Sequence, residues 1–260
     1  MRENGVRFSI ASHVAWAPGV DTPDAWKEWA KAPFAFVGDA EPAVAAMPPM
    51  LRRRAGSLGK MALEVAYQCL DGRTNIPTVF CSRHGEVTRA IDLLTELVQE
   101  QSVSPTGFGL AVHNASAGLF SIARKDQANH IALAAGDSTV EHAVIEVCGL
   151  LADGEPMVLL VAYDQPLPDL MKQFQDADEQ PYAWAWLMVP AQDDVIRLRC
   201  ESVTDRQEDN MDAEALATAL ATAGAMTMTS GLQAWRFVCG AQTKLMRQAG
   251  NRRWIWSRDV

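Results

Sequence analysis

The sequence lacks the short motifs that mark the commonest nucleotide, hydrolase and metal sites. It has no G-x-G-x-x-G and no G-x-x-x-x-G-K-[ST] loop, which argues against a Rossmann or P-loop phosphate site. It has no G-x-S-x-G nucleophile elbow, which argues against the simplest hydrolase. Paired metal-ligand spacings such as H-E-x-x-H are missing as well. We therefore expect neither a cofactor nor a bound metal.

The cysteines follow no pattern. The five cysteines are an odd number without a C-x-x-C pair, which fits free thiols in a reducing compartment. The first 18 residues lack the apolar core of a signal peptide. The longest uncharged stretch, 215–235, is diluted by Thr, Ser, Gly and Gln, so it is a poor membrane span. These features predict a soluble, cytoplasmic protein.

Positive charge is also scarce. The net charge is −9, and the basic clusters Arg52-Arg53-Arg54 and Arg252-Arg253 are short. A nucleic-acid surface needs a clustered positive field, so we expect no nucleic-acid partner. Hydrophobic residues make up 48% of the 260 residues and charged residues 21%, which is the composition of a globular protein.

Hydrophobic periodicity alternates between strand and helix, which predicts a layered α/β fold. Strands are predicted at 6–16, 78–81, 108–112, 131–135, 157–162, 182–189 and 195–203. Helices are predicted at 58–69, 87–98, 114–122 and 140–151. The last two strands are expected to form a hairpin across Asp193 and Asp194. Ser138 and Glu141 match a capping box at the start of the fourth helix.

The composition changes after Val203. Residues 204–210 are polar and predict a linker, and an Ala- and Thr-rich helix is predicted at 212–223. The alternation of Trp254 and Trp256 near the end predicts an edge strand. The sequence therefore predicts a domain over 1–203 and a C-terminal helix and edge-strand extension over 204–260.

Two polar segments are candidate sites. In residues 81–86, CSRHGE, Cys81 is a thiolate nucleophile activated by His84, or it is the buried end of a strand with structural polar neighbours. In residues 112–118, VHNASAG, small residues follow the polar pair His113 and Asn114. This pattern fits a helix packed closely at a buried interface, and it fits a binding site equally well.

Four strings carry a resemblance to a known family. They are PPMLRRRAGSLGKMALEVAYQCL, VFCSRHGE, SPTGFGLAVHNASAGLFSIA and LLADGEPMVLLVAYD. In this order and spacing, the chain over about residues 5–203 resembles the N-terminal half of the β-ketoacyl synthases, which have the thiolase-like fold. It is similar in particular to the chain-length factors of aryl polyene and xanthomonadin-type clusters. The resemblance implies a single layered βαβαβ-type half with a mixed five-stranded sheet.

The same resemblance implies that the chain is not catalytic alone. Active members carry a cysteine where a strand turns into a helix N-terminus, and this turn corresponds to Gly136, Asp137 and Ser138. No cysteine lies in 134–141. The two His and the Lys that active members use come from a second half. The 57 residues after Val203 are too few to form that half.

The implied partner is a complete β-ketoacyl synthase, in a heterodimer paired through an edge strand near Met157–Ala162. The acyl carrier protein is expected to dock on that partner. The resemblance also implies that this subunit helps to shape the tunnel for the growing chain. The candidates for the tunnel or the interface are His113, Asn114, Ala115, Ala117 and Gly118. The alternative is a separate acyltransferase or thioesterase that uses Cys81 and His84.

Overall fold

The structure, a computed structural model, describes residues 5–100, 102–203 and 228–258. Within these residues the strands are β1 (Val6–Trp16), β2 (Thr78–Cys81), β3 (His130–Leu133), β4 (Val158–Asp164), β5 (Tyr182–Pro190), β6 (Ile196–Ser202), β7 (Lys244–Ala249) and β8 (Arg252–Arg258). The α-helices are α1 (Pro23–Lys31), α2 (Pro49–Arg52), α3 (Ser57–Leu70), α4 (Val87–Glu100), α5 (Pro105–Ala111), α6 (Ala115–Arg124), α7 (Thr139–Ala152) and α8 (Ser230–Cys239). The predicted linker at 204–210 and helix at 212–223 lie outside the described residues.

The strands form one mixed sheet in the order β3-β2-β4-β5-β1-β6-β8-β7. β2 pairs in parallel with β3 and β4, and the other pairings are antiparallel. The predicted α/β class and mixed sheet are confirmed. The expected number of five strands is wrong, because β6, β8 and β7 continue the same sheet beyond β1.

The predicted hairpin at 182–189 and 195–203 is wrong. β5 and β6 both form, but β1 lies between them and pairs with each. Phe8 is paired with Pro190 on one side and with Ile196 on the other. A strand of 11 residues offers two full edges, and the alternation of apolar residues does not reveal which neighbour occupies each edge.

The strand predicted at 108–112 is also wrong, because residues 108–111 belong to α5 and Val112 is its C-cap. The Ser104 side chain accepts a hydrogen bond from the Gly107 amide, and Pro105 occupies the first turn. A serine N-cap followed by proline is a helix-start signal, and it outweighs the short run of apolar residues here.

The expected edge strand near Met157–Ala162 is central instead. β4 lies between β2 and β5, and all of its residues from Val158 to Tyr163 are buried. Trp254 and Trp256 are not on an edge strand either, because β8 pairs with both β6 and β7. The edges of the described sheet are β3 and β7.

Helices cover both faces of the sheet. α3 and α6 pack on one face, and α1, α7 and α8 pack on the other. The second face contains a tryptophan cluster in which Trp184 stacks on Trp186 at 4.1 Å and Trp235 of α8 packs beside them. The C-terminal residues therefore cover part of an apolar face that the first 203 residues would leave exposed.

Candidate functional site

The polar segments meet beyond the carboxyl ends of the parallel strands β3, β2 and β4. The turn at 136–138 follows β3, the loop at 82–86 follows β2, and Asp164 is the last residue of β4. Ligand sites of parallel sheets lie beyond the carboxyl ends of their strands. The region beyond these carboxyl ends is therefore the candidate functional site.

The turn at 136–138 is a short 3₁₀ helix that leads directly into α7. Gly136 has a φ of 58°, a left-handed conformation that favours glycine. The predicted capping box does not form, because Ser138 Oγ accepts a hydrogen bond from Trp254 Nε1 at 2.9 Å and caps no amide of the helix. Thr139 Oγ1 closes the turn instead by donating to the Gly136 carbonyl at 2.6 Å.

An ion cluster fixes the same turn. Arg247 of β7 donates from Nη1 to Glu141 Oε1 at 2.6 Å and from Nη2 to Asp137 Oδ1 at 2.7 Å. The side chains of Arg247 and Glu141 are 5% and 0% exposed. Sequence analysis missed Arg247, because a single arginine 106 residues from its partner gives no local signal. The turn at which the resemblance places a nucleophile thus holds an ion-paired carboxylate.

Cys81 and His84 are not arranged as a nucleophile and its base. The thiol of Cys81 is buried, and burial together with the charges of Asp164 and Glu141 raises its pKa well above the usual value. His84 Nε2 lies 3.0 Å from Glu179 Oε1, so Glu179 orients the imidazole. A catalytic thiol needs a lowered pKa and a nearby base, and this geometry supplies neither.

The loop after β2 is fixed by a buried hydrogen-bond network. Asp164 accepts bonds from Ser82 Oγ at 2.9 Å, from the Arg83 amide at 2.8 Å and from Tyr182 OH at 3.1 Å. Burial raises the pKa of Asp164, although these three bonds act in the opposite direction. Ser82 Oγ also accepts a bond from the Gly85 amide at 2.8 Å. The polar residues of this loop hold its backbone in place.

His113 connects this loop to α6. Its Nε2 donates to the Ser82 carbonyl at 2.9 Å, since a carbonyl oxygen only accepts. A Cβ on Gly85 would come within 2.7 Å of the His113 ring, so only glycine fits beneath the imidazole. His113 and Asn114 line an open hollow of about 430 Å³ with His130 and Ala132 of β3.

The small residues of α6 point in two directions. Ala115 and Ala117 are 8% and 1% exposed, and Ala117 belongs to the core beneath α6. Gly118 faces outward, and a Cβ there would meet no atom within 4 Å. Ile122, one turn further on, is 63% exposed. Gly118 and Ile122 are thus the residues of this group that the chain leaves accessible to another molecule.

The part of the chain that the structure describes contains no helix that is both long and apolar enough to cross a membrane. Within the same residues, no group of three or more His, Cys, Asp or Glu side chains is placed to hold a metal ion.

Comparisons with known proteins give the family. The family model of the β-ketoacyl synthase N-terminal domain matches residues 26–257 of the sequence. The fold is similar to that of a chain in the complex of the ketosynthase ApeO with its chain length factor ApeC from Xenorhabdus doucetiae. The TM-score is 0.79 and the sequence identity is 23%. The match covers 97% of this chain and 100% of that chain. No curated protein matches the sequence.

Two further structures share the fold at lower identity. One is a type II polyketide synthase acyl-carrier protein in complex with its ketosynthase, AntDE:AntF, with a TM-score of 0.69, 12% identity, and coverage of 98% and 99% of the two chains. The other is the ishigamide ketosynthase/chain length factor, with a TM-score of 0.64, 11% identity and the same coverage. The resemblance seen in the sequence is confirmed: the chain belongs to the β-ketoacyl synthase N-terminal domain family.

Proposed function

We propose that this chain is a non-catalytic, chain-length-factor-like subunit of a β-ketoacyl-[acyl-carrier-protein] synthase. It acts in the elongation of polyketide or fatty-acid-type chains, such as aryl polyenes, in the cytoplasm. The observation that carries the proposal is the turn before α7, where Asp137 is bound to Arg247. An ion-paired carboxylate is a poor nucleophile toward a thioester, so the partner supplies the nucleophile for the condensation.

The partner in this proposal is a complete β-ketoacyl synthase, in a heterodimer. Support comes from the solved structures of similar fold, which include a ketosynthase with its chain length factor and a ketosynthase with its acyl-carrier protein. The carrier protein docks on the ketosynthase and contacts this subunit only indirectly. We keep the division into a domain at 1–203 and an extension at 204–260 as part of the proposal.

The β3 edge is the surface best suited to this partner. One side of β3 pairs with β2, and the backbone groups on its other side have no strand beside them among the described residues. Apolar side chains stand exposed on the segments that precede β3, with Phe108 at 64%, Val112 at 38% and Ile122 at 63%. An unpaired strand edge beside apolar side chains favours association with another chain.

A substitution at Gly118 tests whether the outward side of α6 shapes the tunnel. Gly118→Phe adds a large side chain where the chain itself leaves open space. We expect the complex with the ketosynthase to form and its products to become shorter, because the ring narrows the space for the growing chain. The measurement is mass spectrometry of the carrier-bound products made by the reconstituted complex.

The matched control is Gln248→Phe on β7, which lies at the opposite edge of the sheet and is exposed. This variant is expected to leave product length unchanged. If Gly118→Phe assembles normally and gives the wild-type product lengths, the tunnel role is wrong and the subunit is a scaffold that does not touch the acyl chain.

A substitution at Cys81 tests whether the chain is instead an acyltransferase or a thioesterase. Cys81→Ala is expected to leave the condensing activity of the complex within about twofold of the wild type, since the buried thiol has a raised pKa. The control is Cys200→Ala at an exposed position. Hydrolysis of an acyl thioester by the isolated chain that Cys81→Ala abolishes, with the fold intact, would establish the alternative instead.

A further inference from the structure

The C-terminal hairpin, formed by β7 and β8, reaches the turn that follows β3. β3 and β7 occupy opposite ends of the strand order, yet side chains of β7 and β8 contact the turn after β3 and the first turn of α7. From β7, Arg247 binds the Asp137 carboxylate and, at 3.3 Å, the Asp137 carbonyl. From β8, the Trp254 indole binds Ser138 Oγ at 2.9 Å. Two strands therefore contact consecutive residues of one turn.

A third contact lies beside these two. His142 of α7 donates from Nδ1 to the Ser138 carbonyl at 2.8 Å, and its Nε2 accepts from Arg252 Nη1 at 3.0 Å. The His142 ring also packs edge-on against Trp254, with ring centroids 5.3 Å apart. The hairpin thus holds the turn directly at the Asp137 carbonyl and at the Ser138 hydroxyl, and through His142 it holds the Ser138 carbonyl.

Arg247 carries most of this attachment. Its guanidinium binds the carboxylate of Asp137 on the turn before α7 and the carboxylate of Glu141 within α7. The planar guanidinium has several donors that can bridge two carboxylates, whereas the single ammonium of a lysine cannot. The same turn joins β3 to α7, and Ala134 just before it lines the hollow with His113 and His130. A shift of the turn would therefore move the end of the β3 edge.

We propose that Arg247 is a positioning residue through which the C-terminal hairpin sets the conformation of the turn at 134–138. Given the proposed function, on which this second step rests, the hairpin thereby keeps the β3 edge in the shape that the ketosynthase binds. The C-terminus of the chain controls its partner surface from the far end of the sheet.

Hydrogen exchange measured by mass spectrometry on the full chain tests the first step. Arg247→Met is expected to speed exchange in peptides covering 134–142 about tenfold more than in peptides of α3, because the global loss of stability reaches both segments and only the attached turn also loses its local support. The control is Arg258→Met, since Arg258 on β8 binds the Val238 carbonyl and Asp194 and does not touch the turn. Wild-type protection of 134–142 in Arg247→Met would overturn the proposal.

Two further variants keep the test decisive if Arg247→Met does not fold. Asp137→Ala removes only the contact on the turn, at a side chain that is 40% exposed, and is expected to speed exchange at 134–138. Arg247→Lys is expected to restore only part of the protection, because one ammonium cannot bridge both carboxylates. Unchanged exchange in Asp137→Ala, or full protection with lysine, would contradict a role for the two-carboxylate bridge.

Titration with the ketosynthase tests the second step separately. Asp137→Ala is expected to bind the ketosynthase about tenfold more weakly than the wild type does, in line with a shifted edge. Fast exchange at the turn combined with wild-type affinity would overturn the link to the partner surface. A wild-type chain that binds no ketosynthase would refute the proposed function, and the exchange result on the isolated chain would still decide the role of Arg247.

Discussion

Replacing Arg247 with methionine is expected to lower the free energy of unfolding by about 3–5 kcal/mol, which is the usual cost of removing one partner of a buried ion pair. The reason is the fate of Glu141, whose side chain is 0% exposed and whose only charged hydrogen-bond partner among the described residues is Arg247. Without the guanidinium, a carboxylate would stay buried with neither water nor a counter-charge.

Urea unfolding of the purified chain measures this effect. The double variant Glu141→Gln, Arg247→Met is expected to regain part of the lost stability, because it removes the uncompensated charge together with its partner. Arg252→Met is the matched control on the same hairpin. It is expected to cost less than about 1 kcal/mol, since the bond of Arg252 to His142 is exposed. Equal stability of Arg247→Met and the wild type would show that the cluster does not hold the fold together.

Replacing Ile122 with aspartate is expected to weaken binding of the ketosynthase by about 100-fold or more, which corresponds to the loss of one apolar hot spot and the burial of an unpaired charge. Ile122 projects from α6, the helix that packs against β3, and its side chain is 63% exposed. Because it contributes little to the core, the substitution is expected to leave the stability of the isolated chain unchanged.

Isothermal titration of the ketosynthase into each variant gives the affinities. The control is Val37→Asp, which places the same charge at an apolar side chain that is 82% exposed and lies near the β1–α1 turn, beside Gly19. We expect Val37→Asp to bind like the wild type. Wild-type affinity of Ile122→Asp would remove the β3 edge as the partner surface.

The sequence was sufficient to predict the elements whose signal is local. The helices at 57–70 and 139–152 have apolar residues at helical spacing, and β2 and β4 are short apolar runs bounded by turn residues. The family was also accessible, because four strings stand in the order and spacing of a known half-fold. The pattern of apolar residues and the order of the motifs are properties that a single chain displays directly.

The strand order and the ion cluster were not predictable in this way. The alternation in β5 and β6 shows that each strand has a buried face, but not that β1 separates them. The segment at 105–111 contains apolar residues that suit a strand, and only the Ser104–Pro105 start signal favours the observed helix. Arg247 and Glu141 meet although 106 positions separate them in the chain, and such a tertiary contact leaves no trace in the local sequence.

The contrast between local signals and tertiary contacts also explains which features of the candidate site were predicted. Asp137 was identified because a family motif marks its position, and the missing cysteine is visible in the sequence itself. The imidazole of His84 pairs with Glu179, which lies 95 residues away along the chain and gives no local signal. The inward direction of Ala117 and the outward direction of Gly118 follow from how α6 packs on the core.

The most direct test of the central claim is native mass spectrometry of the chain co-expressed with its cognate β-ketoacyl synthase, with a purification tag on this chain only. We expect a 1:1 complex whose condensing activity disappears when the catalytic cysteine of the ketosynthase is replaced. A monodisperse species of this chain alone that turns over acyl thioesters in a Cys81-dependent way would contradict the account.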